Sequence, residues 1–232
     1  MDSSQAKQQK DFYDGEFKTI VPKGMEENIR QFYFEKIYSI LSANVPPKEG
    51  ERLLEVGTGQ GGIMERMVGA YPGCHFEGMD ISQKNVEAAQ KRGLNIYWGD
   101  ANALDTSKRF DAIYGTAILH HLDDLPNFFK QVHAMLKPGG WVMFGPEPVW
   151  YAFVCVMYHR LRGNWPVEKG MMQISVSKLR KIMSPYFKDM RFYRHGTAFV
   201  YFSRRLGHLW NVTHCSKIPF LNDIYVYARR KD

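Results

Sequence analysis

The chain has 232 residues and a formal net charge of +7, enough length for one α/β domain with a full apolar core. No apolar run reaches 18 residues, so no membrane-spanning helix is expected; the polar start MDSSQAKQQKDFYDGEF has no apolar h-region, so secretion is not expected either. Cys74, Cys155 and Cys215 stand far apart without a Cys-x-x-Cys pair and read as isolated reduced thiols of a cytoplasmic protein.

The charge is unevenly placed. Residues 148–232 hold 15 Lys and Arg against 4 Asp and Glu, while residues 1–147 hold 16 against 20. The basic part also carries 16 aromatic residues, among them Trp150, Tyr151, Trp165, Phe192, Tyr201 and Trp210. Such asymmetry is a statement about partners.

In chain order, residues 1–24 read as a polar leader with an aromatic cluster, Phe12, Tyr13 and Phe17. MEENIRQFYFEKIYSILSA (25–43) predicts an amphipathic helix, with Ile29, Phe32, Tyr33, Ile37, Ile40 and Leu41 at helical spacing. NVPPKEG breaks it. Strands and helices then alternate. RLLEVG is a buried strand, GIMERMVGAY a helix, CHFEGMD a strand, and SQKNVEAAQKRG a helix capped by Ser82 and stopped at Gly93. NIYWGD and FDAIYGTA are the third and fourth strands. LPNFFKQVHAMLKPGG is read as a helix with a glycine ending, and WVMFGPE as the fifth strand. This alternation implies a doubly wound, mostly parallel sheet with helices on both faces. Beyond it, VWYAFVCVMY (149–158) is apolar but too short to span a membrane. SVSKLRKIMSPYF predicts a helix capped by Ser175 or Ser177, DMRFYRHG a strand, and DIYVYARRK a last strand. The segment RRLGHLWNVTHCSKIP between them has no clear period.

The most informative stretch is LLEVGTGQGG (53–62). Gly57, Gly59 and Gly62 fit a dinucleotide fingerprint, and the same residues with Glu55 fit the first motif of an S-adenosylmethionine (SAM) site. Glycines after a first strand serve either cofactor, and so does an acid about 20 residues on, here Asp80, for the ribose diol. Four features favour SAM. Glu55 lies within the first strand, and Asp100 ends the third, where a carboxylate can accept from an adenine amine. The glycine loop follows a long helical lead-in. The only Tyr-x-x-x-Lys, Tyr227 to Lys231, sits in a terminal strand and not in a helix.

LLEVGTGQGG, EGMDIS, WGDANAL, FDAIYGTAILHHLDD and LKPGGWVMF, in this order and spacing, resemble the class I SAM-dependent methyltransferases, in the branch of small-molecule and ubiquinone/menaquinone-type enzymes. The resemblance is strong over about 100 central residues and weak at both ends. It implies a Rossmann-like, seven-stranded fold closed by the antiparallel strand DIYVYARRK. It implies a SAM-binding core at 49–147, an N-terminal lid and helix at 1–48, an acceptor-binding cap at 148–222 and a terminal strand at 223–232. It also assigns roles. Gly57, Thr58 and Gly59 would approach the methionine part of SAM, and Glu55 would help orient its amino group through backbone or water. Asp80 would bind the ribose, Ile81 would pack on the adenine, and Asp100 and Ala101 would hold the adenine edge. Thr116 would offer backbone, and Tyr13 would match an aromatic lid residue. S-adenosylhomocysteine would be the product.

If the acceptor is a hydroxyl or a weakly acidic carbon, a general base is needed. His120, His121 and Glu147 follow the fourth and fifth strands and are the candidates. HHLDD crowds two His and two Asp, but adjacent side chains on a loop are expected to diverge, so no metal is expected; Asp123 and Asp124 read as helix caps. The aromatic, basic end suits a small apolar, aromatic or lipid-like acceptor with an anionic group, and VWYAFVCVMYHRLR suits peripheral contact with an anionic membrane. Two other readings stay open. One is a nucleic-acid methyltransferase, disfavoured because no Asn-Pro-Pro-Tyr, Asp-Pro-Pro-Tyr or Pro-Cys motif is present. The other is a SAM-binding protein of this fold that transfers no methyl group.

Overall fold

The computed structural model describes residues 4–15, 26–148, 156–157, 160–161, 163, 165–196 and 222–232. Most of VWYAFVCVMY and all of RRLGHLWNVTHCSKIP lie outside the described residues. The helices are α1 (Ser4–Asp14), α2 (Glu26–Asn44), α3 (Gly62–Ala70), α4 (Gln83–Gln90), α5 (Leu125–Met135), α6 (Trp165–Glu168) and α7 (Val176–Met183). The strands are β1 (Arg52–Val56), β2 (His75–Asp80), β3 (Ile96–Trp98), β4 (Phe110–Gly115), β5 (Leu136–Glu147), β6 (Phe187–Gly196) and β7 (Asn222–Arg230). They form one seven-stranded sheet in the order β3-β2-β1-β4-β5-β7-β6. β1 to β5 are parallel, and β7 inserts antiparallel between β5 and β6.

The sheet is apolar on both faces because its side chains alternate sides. Leu54, Val56, Ile113, Val142, Phe144, Ile224 and Val226 pack with Phe128, Phe129 and Val132 of α5 and Leu179 and Met183 of α7. Their strand neighbours Leu53, Ala112, Tyr114, Trp141, Met143 and Tyr225 pack on the other side, against Ile37 and Leu41 of α2 and Met64 and Met67 of α3. This two-sided burial is why the strands read as unbroken apolar runs.

Caps fix where the helices begin. Ser82 accepts from the Asn85 N–H at 3.3 Å, Asp124 from the Asn127 N–H at 3.0 Å and Ser175 from the Lys178 N–H at 3.3 Å. Gly93 takes the left-handed conformation (φ 81°) that stops the helical path after α4. Three readings need correction. The leader contains a helix, α1. α5 ends at Met135, and Leu136–Gly140 already belongs to β5, since Phe110 of β4 pairs with Leu136. α7 ends at Met183, because Pro185 has no N–H to donate to the Lys181 carbonyl, to which the Ser184 hydroxyl donates at 3.1 Å, and Phe187 starts β6.

Candidate active site

The sheet order reverses between β1 and β4, the place where open α/β sheets bind ligands at the carboxyl ends of their strands. A cavity of about 230 Å³ lies there, lined by Gly57, Gly59, Asp80, Ile81, Asp100 and Ala101 on one side and by Thr116, His121, Gln9 and Tyr13 on the other.

The glycine loop is built by pairing to β2. The Gly57 and Thr58 N–H groups both donate to the Met79 carbonyl, at 2.9 and 3.0 Å. Gly57 has φ 71°, and a Cβ there would lie 2.7 Å from Ile118 Cδ1, so both its conformation and its neighbour require glycine. Thr58 does not line the cavity. Its hydroxyl donates to the Glu55 and Met79 carbonyls at 3.0 and 3.2 Å and locks the turn from beneath. Gly59 N–H donates to Asp80 Oδ2 at 2.7 Å, and Asp80 Oδ1 accepts from the Ser82 N–H at 2.9 Å and Asn85 Nδ2 at 3.2 Å. Burial raises the Asp80 carboxyl above its usual range, although these three bonds pull the other way.

Glu55 is buried below the loop and does not line the cavity. Its carboxylate takes the Tyr114 hydroxyl at 3.4 Å, and burial pushes its pKa well up, opposed by Tyr114 and by the Met64 backbone in the first turn of α3. Its visible work is to join β1, β4 and α3. Asp100 faces the cavity, with Oδ1 taking the Asn102 N–H at 2.8 Å and Asn102 Nδ2 at 3.0 Å. Trp98 Nε1 donates to the Ile81 carbonyl at 2.9 Å and holds that backbone at the cavity wall.

α1 is tied across the cavity. Gln9 Nε2 donates to the His121 carbonyl at 2.5 Å, the Tyr13 hydroxyl meets His121 Nε2 at 3.1 Å, and Ser82 Oγ donates to Asp14 Oδ1 at 2.7 Å. Burial, then the charges of Glu168 and Asp80, push the Tyr13 phenol well above its usual range, so it stays protonated.

His120 and His121 form a 3-10 turn, Leu119–His121, after β4. Only His121 lines the cavity. His120 is buried with Nδ1 2.7 Å from Glu147 Oε2 and Nε2 3.3 Å from Glu168 Oε2. Burial works against its charge, but the two glutamates override it and raise its pKa to about 10. Glu147 also accepts from the Ile118 and Leu119 N–H groups, both at 2.9 Å, and from His120 N–H at 3.3 Å. These contacts place His120 and Glu147, two of the candidate bases, in a buried cluster outside the cavity lining. A doubly bonded imidazolium has no lone pair to offer, and the carboxylate that holds it serves as the anchor of the turn.

The two imidazoles do not diverge either. Their centroids lie 3.9 Å apart, and with Glu168 they bring three potential metal-ligand atoms within 4.8 Å of one another. Because carboxylates engage both His120 nitrogens, the cluster is built as an ion pair. Glu168 and Asp223 were missed in the sequence. Asp223 is raised to about 7 by burial and by the charge of Glu147, with His120 pulling it down. Both belong to the four acids of the basic end, and that scarcity was the available signal.

Against this geometry, a family model described as a methyltransferase domain matches residues 25–147, more than half of the chain. The chain belongs to the class I SAM-dependent methyltransferases. Among similar members, trans-aconitate 2-methyltransferase of Mycolicibacterium gilvum is 28% identical over 107 residues, 46% of this chain and 42% of its own length. The ubiquinone/menaquinone biosynthesis C-methyltransferase of Desulfotalea psychrophila is 31% identical over 126 residues, 52% of this chain and 48% of its own. The matched regions thus span about half the length of these curated relatives. In fold, the N-methyltransferase NodS of Bradyrhizobium japonicum, solved with S-adenosylhomocysteine, matches 99% of this chain and 100% of its own with a TM-score of 0.63 at 15% identity. The plantazolicin methyltransferase BpumL, solved with a monoazolic desmethylPZN analogue and S-adenosylhomocysteine, matches 98% and 95% with a TM-score of 0.67 at 15% identity. Both likenesses are of the methyltransferase fold.

Proposed function

We propose that the protein transfers the methyl group of SAM to a small apolar, aromatic or lipid-like acceptor, with O- or C-methylation favoured. The observation that carries this reading is a single cavity with two chemically different walls. The residues present fit SAM on one wall. Gly57 and Gly59 leave backbone exposed for the methionine end, Asp80 offers a carboxylate to the ribose, Ile81 an apolar surface to the adenine, and Asp100 and Ala101 acceptor and donor groups to its edge. Thr116, which lines the same cavity, would offer backbone to the methionine end. SAM supplies a sulfonium methyl group open to in-line attack from the opposite side.

The other wall is Tyr13 and His121. In the His121 tautomer that carries its proton on Nδ1, the protonated Tyr13 phenol, 3.1 Å away, donates to Nε2. A hydroxyl acceptor beside Tyr13 can pass its proton to the phenol oxygen as the phenol's own proton moves to Nε2. The acceptor oxygen would then take the methyl that bound SAM supplies, with S-adenosylhomocysteine as the leaving group. α1 excludes water from this end, which strengthens orientation and charge effects within it. The relatives' names point to acidic or apolar acceptors, such as trans-aconitate, a fatty acid and ubiquinone precursors. This agrees with the basic, aromatic end of the chain.

The test has two arms. Calorimetry should show S-adenosylhomocysteine binding and no NAD binding; the reverse would end the reading. Labelled SAM should then methylate a component of a quinone and phenol panel or a lipid extract. Label appearing only in RNA would move the protein to the nucleic-acid class, and binding without transfer to any acceptor would favour a non-methylating role.

A further inference from the structure

We propose that the rim around the acceptor side docks on an anionic lipid bilayer, through a basic groove between α7 and β6 and through apolar side chains of the segment after β5. The proposal goes beyond the reading of the cavity and does not depend on the identity of the acceptor.

The groove, of about 780 Å³, is lined by Ser175, Ser177, Arg180, Lys181, Ser184 and Arg194, and no acid lines it. Among the described residues, none of its three cations forms an ion pair. The Arg180 guanidinium lies over the Phe192 ring at 4.9 Å, which steadies it beside the groove. Sheet register gives the Arg194 end of the groove its level, while the Ser184 end, whose carbonyl accepts from Lys231 Nζ at 2.7 Å just past the end of β7, lies toward the opposite edge. β5 runs parallel to β1 and β4, so Glu147 marks the edge where the cavity opens. Glu147 pairs with Ile224 of β7, and Ile224 pairs with Arg194 of β6. Arg194 therefore stands at the cavity edge of the sheet, on its outermost strand.

A second, apolar observation meets this one. Of the six exposed large apolar residues among those described, three belong to this part of the chain: Leu161 at 81% exposure, Met172 at 50% and Met157 at 41%. Met172 lies in the 3-10 turn Lys169–Gln173, which packs on the turn carrying His120 and His121. Arg160, next to Leu161, stacks on Trp165 of α6 at 4.9 Å. A lone exposed leucine needs no explanation. Exposed aliphatic side chains on the chain that leads into α7, and cations without an ion pair among the described residues along α7 and β6, are together the composition of an interfacial surface, where apolar groups enter the acyl boundary and cations meet headgroups. Single-stranded nucleic acid would instead call for exposed aromatic rings to stack its bases, and among the described residues of this rim the exposed large apolar side chains are Leu161, Met157 and Met172.

The experiment is co-sedimentation of the full chain with phosphatidylcholine vesicles and with vesicles containing phosphatidylglycerol, alongside calorimetry with S-adenosylhomocysteine. The wild type is expected to prefer the anionic vesicles by at least about tenfold and to lose that preference as salt is raised. Combined Arg180→Glu and Lys181→Glu should lower partition by more than about tenfold, since each cation near an anionic surface contributes about 1 kcal/mol, or about fivefold. Leu161→Asp should lower it several-fold. Calorimetry should be unchanged throughout, which separates failure of docking from failure of the cavity. Equal partition to both vesicle types, no salt dependence, or unchanged partition of the charge-reversed protein would overturn the proposal. So would complete release by millimolar inorganic phosphate at constant ionic strength, the behaviour of a small-anion site. Retention on RNA without vesicle binding, abolished by the same reversal, would assign the groove to nucleic acid.

Discussion

The two walls of the cavity are built in different ways. The donor wall is assembled from β1, β2 and β3 and the turns that follow them, and its key bonds are local or between neighbouring strands. Gly59 reaches Asp80 across one strand pair, and Asp80 and Asp100 bond residues two to five positions ahead. The acceptor wall draws on segments far apart: Tyr13 and Gln9 of α1, the turn after β4, Glu147 ending β5, Glu168 of α6 and Asp223 at the start of β7. Donor binding should therefore survive changes that disable transfer, and the reverse should be rare.

The strongest separation is expected at His121. His121→Ala should lower turnover by about 10²–10⁴-fold for a hydroxyl acceptor, the span of a lost general base. Affinity for S-adenosylhomocysteine should change little, because in the proposed relay the imidazole takes only the proton that leaves the Tyr13 phenol. Single-turnover kinetics beside calorimetry would measure this; equal losses in both would erase the distinction between the walls.

Gly170→Ala comes next. A Cβ at Gly170 would lie 1.7 Å from the His120 carbonyl oxygen, so the two 3-10 turns must separate. A displacement of about 1 Å at reacting groups can cost about 10²-fold in rate. kcat/KM should fall on that order while donor affinity holds.

Asp80→Ala attacks the other wall. Losing a charged hydrogen-bond partner should weaken donor binding by about 1.5–3 kcal/mol. The pH behaviour of His120 should be unaffected, since the two groups share no bond. Titration calorimetry would read the donor term directly.

The smallest effect is in stability against pH. His120 has a folded pKa near 10 against an ordinary 6.5, so its stabilising charge is fully present below about 6.5 and is lost as pH rises through 10. Asp223, raised to about 7 from 3.8, also favours the fold when protonated, and that contribution is lost as pH rises through 7. Tm should fall from pH 6 to 10. Glu168→Gln removes one of the two carboxylates holding His120, so the decline above pH 7 should become shallower. An unchanged slope in a thermal melt series would mean that Glu168 does not hold the imidazolium in solution.

Much of the donor wall was legible in the sequence because local chemistry announces it. Glycines at positive φ, acids at strand ends and Ser82 as a cap are short-range requirements, so they recur at readable spacing. Even there, the side chains of Glu55 and Thr58 proved to brace the loop from below, which no motif reveals. On the acceptor wall, adjacent histidines could be seen, but not which one faces inward. Nor could Glu168, 48 residues later, be matched to its partner.

By itself the sequence determined the alternation of strands and helices, the two-sided apolar sheet, the family and the cofactor loop. The family was legible as a resemblance of five motifs in order; the rest follows from periodicity or from backbone conformations that only certain residues tolerate. Tertiary structure alone decided that α1 crosses the cavity, that His121 and not His120 meets it, and that scarce acids in a basic region converge on one buried imidazole. The physical reason is burial. A charge withdrawn from water must find its partner in space, and chain order does not say which distant residue that partner will be.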